Sequence, residues 1–199
     1  MTKRNSEDTT KKILKAALSE FANKGFAGAR VDEIAKNAQV NKRMIYYYFK
    51  NKQGLYEAVM EKKCEMKEKA VADQPSDPEE LMKYWMEICY TDIDFIRLMQ
   101  WEALEMGWDP VVCEEKRAEN FRVCSERIQG GLGQQLEGVG VRPDFLHLCF
   151  MAMNWFPLAF PQITRFVTGL NSDQEEFKEA QLDVISHFAK LAVPKIQNP

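Results

Sequence analysis

Two short helical patterns separated by three residues constrain this chain more than any other feature. Residues 31–38 (VDEIAKNA) put Val31, Ile34, Ala35 and Ala38 on one side of a helix, and residues 42–49 (KRMIYYYF) put Ile45, Tyr48 and Phe49 on one side of another. Only Gln39, Val40 and Asn41 lie between them. A connection that short makes the two helices cross, which is the layout of a helix-turn-helix. Ala35 has to be small because the second helix crosses close to the first. A helix over 10–24 comes before the pair, with Ile13, Leu14, Ala17, Leu18 and Phe21 in one stripe and Gly25 as its C-terminal stop. Asn51 is placed to cap a fourth helix that starts at Lys52 and runs to about residue 72.

The rest of the chain also reads as helix. Residues 73–78 (DQPSDP) form a linker that starts the next helix, with Asp77 as N-cap and Pro78 in its first position. Helices follow over 78–91, 92–106 and 110–137, a break at Gly130-Gly131 or Gly133 being left open. A loop over 138–143 leads to a helix over 144–169, kinked by Pro157 and Pro161. Ser172 and Glu175 read as a capping box for a last helix over 173–192. The fold class is all-α: an N-terminal three-helix helix-turn-helix domain over 1–55, joined through the fourth helix to a larger C-terminal helical domain over 56–199.

Charge is divided unevenly along this frame. The chain has 199 residues and a net charge of −3. Residues 1–63 hold fourteen Lys and Arg against seven Asp and Glu, and the remainder holds thirteen against twenty-three. A basic head on an acidic body points to a polyanion partner at the basic end. At the start of the third helix the apolar support leaves Lys42, Arg43 and Tyr46 exposed, with Tyr47 at the flank. The first turn of a recognition helix enters the major groove, where Lys and Arg donate to guanine and tyrosines reach phosphate, sugar or thymine methyl. Lys52, at the N-terminal end of a helix where the macrodipole disfavours a cation, asks for an anion nearby, and Arg30 poses the same question. Tyr48 fits phosphate contact and packing against the first helix equally well. The N-terminal arm Thr2-Lys3-Arg4 reads either as a minor-groove arm or as a plain tail.

The stretches ILKAALSEFANKGFAGARVDEIAKNAQV and NKRMIYYYFKNKQGLYEAV resemble the DNA-binding domain of the TetR family of bacterial transcriptional regulators. The matching positions are Ala17, Phe21 and Gly25; Val31, Ile34 and Ala35; then Ile45, Tyr46, Tyr48, Phe49, Lys52 and Leu55. The resemblance implies a homodimer that binds a pseudo-palindromic double-stranded DNA operator, represses, and lets go when a small molecule enters the C-terminal domain. Carried over by position, Lys42, Arg43 and Tyr46 approach bases, while Arg30, Tyr47, Tyr48 and Lys52 hold phosphates. It also implies that the helices near 144–169 and 173–192 form a four-helix bundle with a second subunit. Gln39 stands where the family favours Gly, and a left-handed backbone there would cost Gln roughly 1 kcal/mol. Near Arg30 the family favours a capping Ser or Thr.

The composition of the second half fits a ligand chamber or an ordinary bundle core. All four tryptophans follow residue 80, and Trp85, Trp101, Phe121, Phe150 and Trp155 are the candidate pocket residues for an unknown effector. The five scattered cysteines include no C-x-x-C and suit a reducing cytoplasm, and the two histidines form no zinc pattern. No cofactor, metal site or catalytic pair is expected. The polar start MTKRNSEDTTKK gives no secretory signal. Twenty uncharged residues (145–164) could span a bilayer by length, yet His147, Asn154, Gln162 and two prolines favour a helix buried on one side by its own domain and on the other by a partner, so no membrane partner is expected. A second class of reading stays open: a helical adaptor or lipid-binding bundle whose basic head docks to a protein or an anionic surface. Sequence preference in DNA binding separates the two.

Overall fold

A computed structural model describes residues 3–137 and 140–192, with side chains described over 6–77, 80–127 and 140–188. Every regular element among them is helical: α1 (Lys3–Gly28), α2 (Val31–Ala38), α3 (Lys42–Phe49), α4 (Lys52–Asp73), α5 (Pro78–Thr91), α6 (Ile93–Met106), α7 (Glu114–Glu137), α8 (Pro143–Ala159), α9 (Pro161–Thr168) and α10 (Glu175–Ala192). Thr2 of the basic arm and the loop residues 138–139 lie outside the described residues. So do the side chains of Lys3 and Arg4, and of Leu191 and Ala192 at the end of the last helix.

The chain divides into two compact units. One holds the chain up to Lys67 together with Asp94–Arg117; the other holds Glu68–Ile93 and the chain from Ala118 onward. Residue 55, where the sequence suggests a domain boundary, lies inside α4, and the first unit takes in most of α6 and the start of α7. The reason is packing. Ile13, Phe21, Ile34, Ile45, Leu55 and Met60 form a sealed core with Leu98 of α6, and Phe95 and Met99 pack against it. A buried polar knot adds to this: Tyr56 donates to Glu102 Oε1 at 3.0 Å, and Arg117 Nη1 donates to Glu102 Oε2 at 2.8 Å. Burial first, and then the Glu102 carboxylate, hold the Tyr56 phenol well above its usual range.

Gly25 interrupts α1 at φ 69°, as the sequence suggests. A Cβ there would also meet Glu105 Oε1 at 2.4 Å and the Trp101 ring at 2.8 Å, so no side chain fits. The first helix begins at Lys3, seven residues ahead of the expected start. In α7 the helix begins at Glu114 rather than 110, because Cys113 turns left-handed (φ 58°) and Glu114 reaches back to the Val111 N–H at 3.1 Å. The helix continues through Gly130, Gly131 and Gly133 without a break.

In the second unit Phe150 of α8 packs with Met82 and Met86 of α5 and Ile185 of α10. The two prolines do more than kink a helix. Phe160, ahead of Pro161, takes φ −128°, ψ 64°, and the expected single helix is two, α8 and α9. Pro157 leaves the Met153 carbonyl without its helical donor, and Gln181 Nε2 supplies one at 2.8 Å, while Tyr90 donates to Gln181 Oε1 at 2.7 Å. Pro161 frees the Pro157 carbonyl, which accepts from Thr164 Oγ1 at 3.4 Å. Asp77 caps α5 as expected, accepting from the Glu80 N–H at 2.9 Å. The box before α10 sits one residue earlier than Ser172 and Glu175: Gln174 Oε1 accepts from the Asn171 N–H at 2.7 Å, and the helix starts at Glu175. Among the described residues, no helix is long and apolar enough to cross a membrane.

Candidate nucleic-acid interface

The turn between α2 and α3 is built by backbone geometry. Gln39 is left-handed (φ 56°, ψ 43°), its N–H donating to the Lys36 carbonyl at 3.1 Å, and the Val40 N–H donates to the Ala35 carbonyl at 3.0 Å. That pair of bonds is the Schellman closure of a helix, with Gln in the place where Gly is least strained. Asn41 then caps α3 through the Arg43 N–H at 2.8 Å. Ile45 is fully buried beneath. The inner face of α3 is thereby fixed, and what remains faces outward.

The outward face falls into free and engaged groups. The Arg43 side chain is exposed, and among the described residues it has no partner. Tyr47 is 83% exposed and Tyr46 42%. Lys42, in contrast, is held: its Nζ lies 2.8 Å from Asp32 Oδ1 and 5.8 Å from the centre of the Tyr46 ring. Asp32 keeps the lysine charged to higher pH than usual, chiefly through this hydrogen bond. Tyr48 packs against the core, and its hydroxyl shares a hydrogen bond of 3.1 Å with Ser6 of α1; its ring meets that of Tyr47 edge-on. The three adjacent tyrosines therefore have three different environments.

Lys52 receives an answer other than an external anion. Its Nζ donates to the Ala27 carbonyl at 3.2 Å and lies 4.9 Å from the Phe26 ring centre. The C-terminal end of α1, where the helix dipole is negative, supplies the acceptor that the cation meets. Arg30 is the N-cap of α2 without a side-chain capping bond; its backbone N–H donates to Glu20 Oε1 at 3.1 Å, and its side chain is exposed.

Three residues shape this surface without having been picked out by the sequence pattern. Asp32 restrains Lys42 from ten positions away. Lys50 adopts φ 64°, ψ −53°, closing a γ-turn in which the Asn51 N–H donates to the Phe49 carbonyl at 2.7 Å. Gly54 lets α4 start against that turn: a Cβ there would sit 2.3 Å from the Phe49 carbonyl oxygen. Its N–H donates to Asn51 Oδ1 at 2.7 Å, which is the cap read from the sequence. A glycine three residues after a cap is a visible signal of close approach; the left-handed Lys50 has no comparable signal in its residue type.

The candidate pocket residues are not all brought together. Trp101 belongs to the first unit, its indole N–H donating to the Ala22 carbonyl at 3.2 Å, where it lines a surface cleft of about 390 Å³ with Asn23, Arg97, Gln100 and Leu104. Trp85, Phe121, Phe150 and Trp155 belong to the second. There Trp85 donates to Gln74 at 2.9 Å, Phe121 lies against His147, and Phe150 is buried. His147 Nδ1 is 2.9 Å from Ser125 Oγ of α7. Among the described residues, no group of three or more His, Cys, Asp or Glu could hold a metal ion.

An apolar stripe marks the outer side of α8: Phe145, Leu148, Cys149, Ala152 and Phe156 are exposed at helical spacing, opposite the buried Phe150, Asn154 and Leu158. On α10, Val184 and Phe188 are likewise exposed. The uncharged stretch of the sequence thus has one covered face and one open face.

Comparison with known proteins places this geometry. Residues 13–59 match the bacterial regulatory proteins of the tetR family. Over 171 residues the chain is 33% identical to the HTH-type transcriptional repressor SCO4008 of Streptomyces coelicolor, covering 85% of this chain and 88% of that one. It is 30% identical over 139 residues to the HTH-type transcriptional repressor NicS of Pseudomonas putida, covering 66% of this chain and 63% of NicS. Among solved structures, the fold matches a transcriptional regulator of Streptomyces coelicolor, SCO4942, with a TM-score of 0.70 at 23% identity, covering 90% of this chain and 97% of that one.

Proposed function

The chain belongs to the TetR family of bacterial transcriptional regulators, and from that premise we propose how it recognises and releases DNA. It is a ligand-responsive repressor that binds a pseudo-palindromic operator as a homodimer. The observation that carries the site assignment is the outer face of α3: Arg43 free, Tyr46 and Tyr47 exposed, and the helix fixed from behind by Ile45. Arg43 and Tyr46 read base edges, joined by Lys42 when it exchanges Asp32 for DNA. Tyr47 and Arg30 hold phosphates, and Tyr48 and Lys52 border the same backbone from positions braced by Ser6 and Ala27.

The open stripes of α8 and α10 are the surface a second copy covers. Pairing them removes apolar area from water, and Val184 and Phe188 meet the partner's equivalents in an isologous contact. A small molecule bound in the second unit favours a dimer whose two α3 helices no longer match successive major grooves, roughly 34–36 Å apart. Repression ends by that shift in population.

Selection of bound duplexes from a random pool tests this reading. An inverted repeat is expected, with Arg43→Ala relaxing preference at one position in each half-site by roughly 1–3 kcal/mol. Recovery of no repeat, with equal binding to all duplexes, favours the basic-headed adaptor instead.

A further inference from the structure

Asn154 sits midway along α8, 4% exposed, on the same buried face as Phe150 and Leu158. Its Nδ2 donates to the Phe150 carbonyl at 2.9 Å. A carbonyl only accepts, so this bond fixes which end of the amide is nitrogen. Oδ1 is then left over. Among the described residues it is the one buried side-chain nitrogen or oxygen atom without a hydrogen-bond partner. Buried acceptors are normally satisfied, so an acceptor that no group of the chain satisfies is a point at which a donor from outside the chain can bind.

The surroundings make the omission specific. One turn away, Phe150 packs on Met82 and Met86, side chains that repack readily around a guest. Nearby polar groups in the same unit are paired: Gln181 bridges Tyr90 and the Met153 carbonyl, and Ser125 meets His147. The described buried polar residues of this unit are Asn120, Asn154, Thr164, Ser172, Gln181 and Ser186, all neutral. A buried water uses about two to four polar partners, and the Met153 carbonyl next in the chain is already engaged by Gln181. A buried anion would bring no proton to Oδ1, and a buried cation would find no counter-charge among those residues.

We propose that Asn154 anchors the effector of this regulator: Oδ1 accepts a hydrogen bond from the O–H or N–H of a neutral, mostly apolar molecule lodged against Phe150 and the α5 methionines. The proposal rests on the ligand-responsive reading above and adds the chemical class of the ligand to it. The anchor explains why a polar residue interrupts an otherwise apolar inner face. It also sets specificity, since an analogue lacking the proton leaves the acceptor as unsatisfied as before.

Three matched pairs of probes test it on the full-length protein: phenol and anisole, indole and 1-methylindole, 2-naphthol and 2-methoxynaphthalene. Calorimetric titration is expected to find the donor tighter than its methylated twin by at least about tenfold in one or more pairs. Asn154→Leu is expected to abolish that preference while melting no lower than the wild type, because it removes the unmet acceptor. Asn154→Met serves as a second apolar replacement of similar length. Equal affinities within all three pairs, no binding of any probe, or a preference that survives both substitutions overturns the proposal. Duplex selection on the same protein keeps the two readings apart. An inverted repeat without donor preference sinks the anchor alone, whereas donor preference without any repeat keeps the anchor and sinks the regulator.

Discussion

The two units of this chain finish their surfaces differently. In the first, Phe21, Ile13, Ile34, Ile45, Leu55, Met60 and Leu98 are sealed from solvent; in the second, among the described residues, Ile185 is the comparable large side chain. On α3 the first unit turns Arg43, Tyr46 and Tyr47 outward. The second turns out phenylalanines, with Phe166 76% exposed on α9 and Phe188 53% on α10. A sealed core holds the α3 face in place for a charged partner, although the same unit also exposes Leu104 and Trp108 away from that face in sequence. Exposed aromatic stripes are incomplete until another apolar surface covers them. The contrast fits the division proposed above, in which the first unit reads DNA and the second pairs with a copy of itself.

The largest effect is expected where the sealed unit is opened from within. Arg117→Met leaves the buried Glu102 carboxyl without its ion-pair partner, and should cost about 3–5 kcal/mol in urea denaturation. Adding Glu102→Leu should restore much of that loss. Next, Phe188→Glu should weaken dimerisation by at least ~2 kcal/mol, roughly thirtyfold in Kd, in sedimentation experiments. The first unit should stay folded in that variant, which breaks the comparison if it does not. Gly54→Ala should cost about 1–3 kcal/mol through the clash with the Phe49 carbonyl. Its loss in operator affinity should exceed its loss in melting temperature, because the clash lies at the base of α3; a proportional fall in both would remove Gly54 from the recognition surface.

What the sequence made legible follows from how local each signal is. The spans of α2 and α3, the caps at Asn51 and Asp77 and the break at Gly25 depend on residues within a turn or two of one another. Each was readable from type and spacing alone. The split of α8 from α9 was half visible: two prolines announce disruption, but whether a helix bends or breaks depends on who takes up the freed carbonyls, and Gln181 lies 28 residues from Met153. Lys52 shows the limit most clearly. Its position at a helix start asks for an anion, and within the chain its Nζ instead meets the neutral Ala27 carbonyl, 25 residues back, which no periodicity points to. Trp101 was grouped with the other aromatics by composition, whereas packing on α1 places it in the first unit. The recruitment of α6 and the start of α7 into that unit rests on Leu98 and on the Tyr56–Glu102–Arg117 knot. The Tyr56–Glu102 bond spans 46 residues and the Arg117–Glu102 pair 15, beyond what helical spacing points to.

The γ-turn at Lys50 has a consequence in angles rather than energies. Gly54 and the Asn51 cap press α4 directly onto the end of α3, so the junction has almost no slack to absorb a rotation. An eight-residue helix is ~12 Å long. A tilt of ~10° about this elbow would carry the far end of α3, where Lys42 and Arg43 sit, by ~2 Å, more than the ~0.5 Å spread of hydrogen-bond lengths. An instrument hinged so tightly at its base reads its target only at one setting, and small errors at the pivot are large errors at the tip.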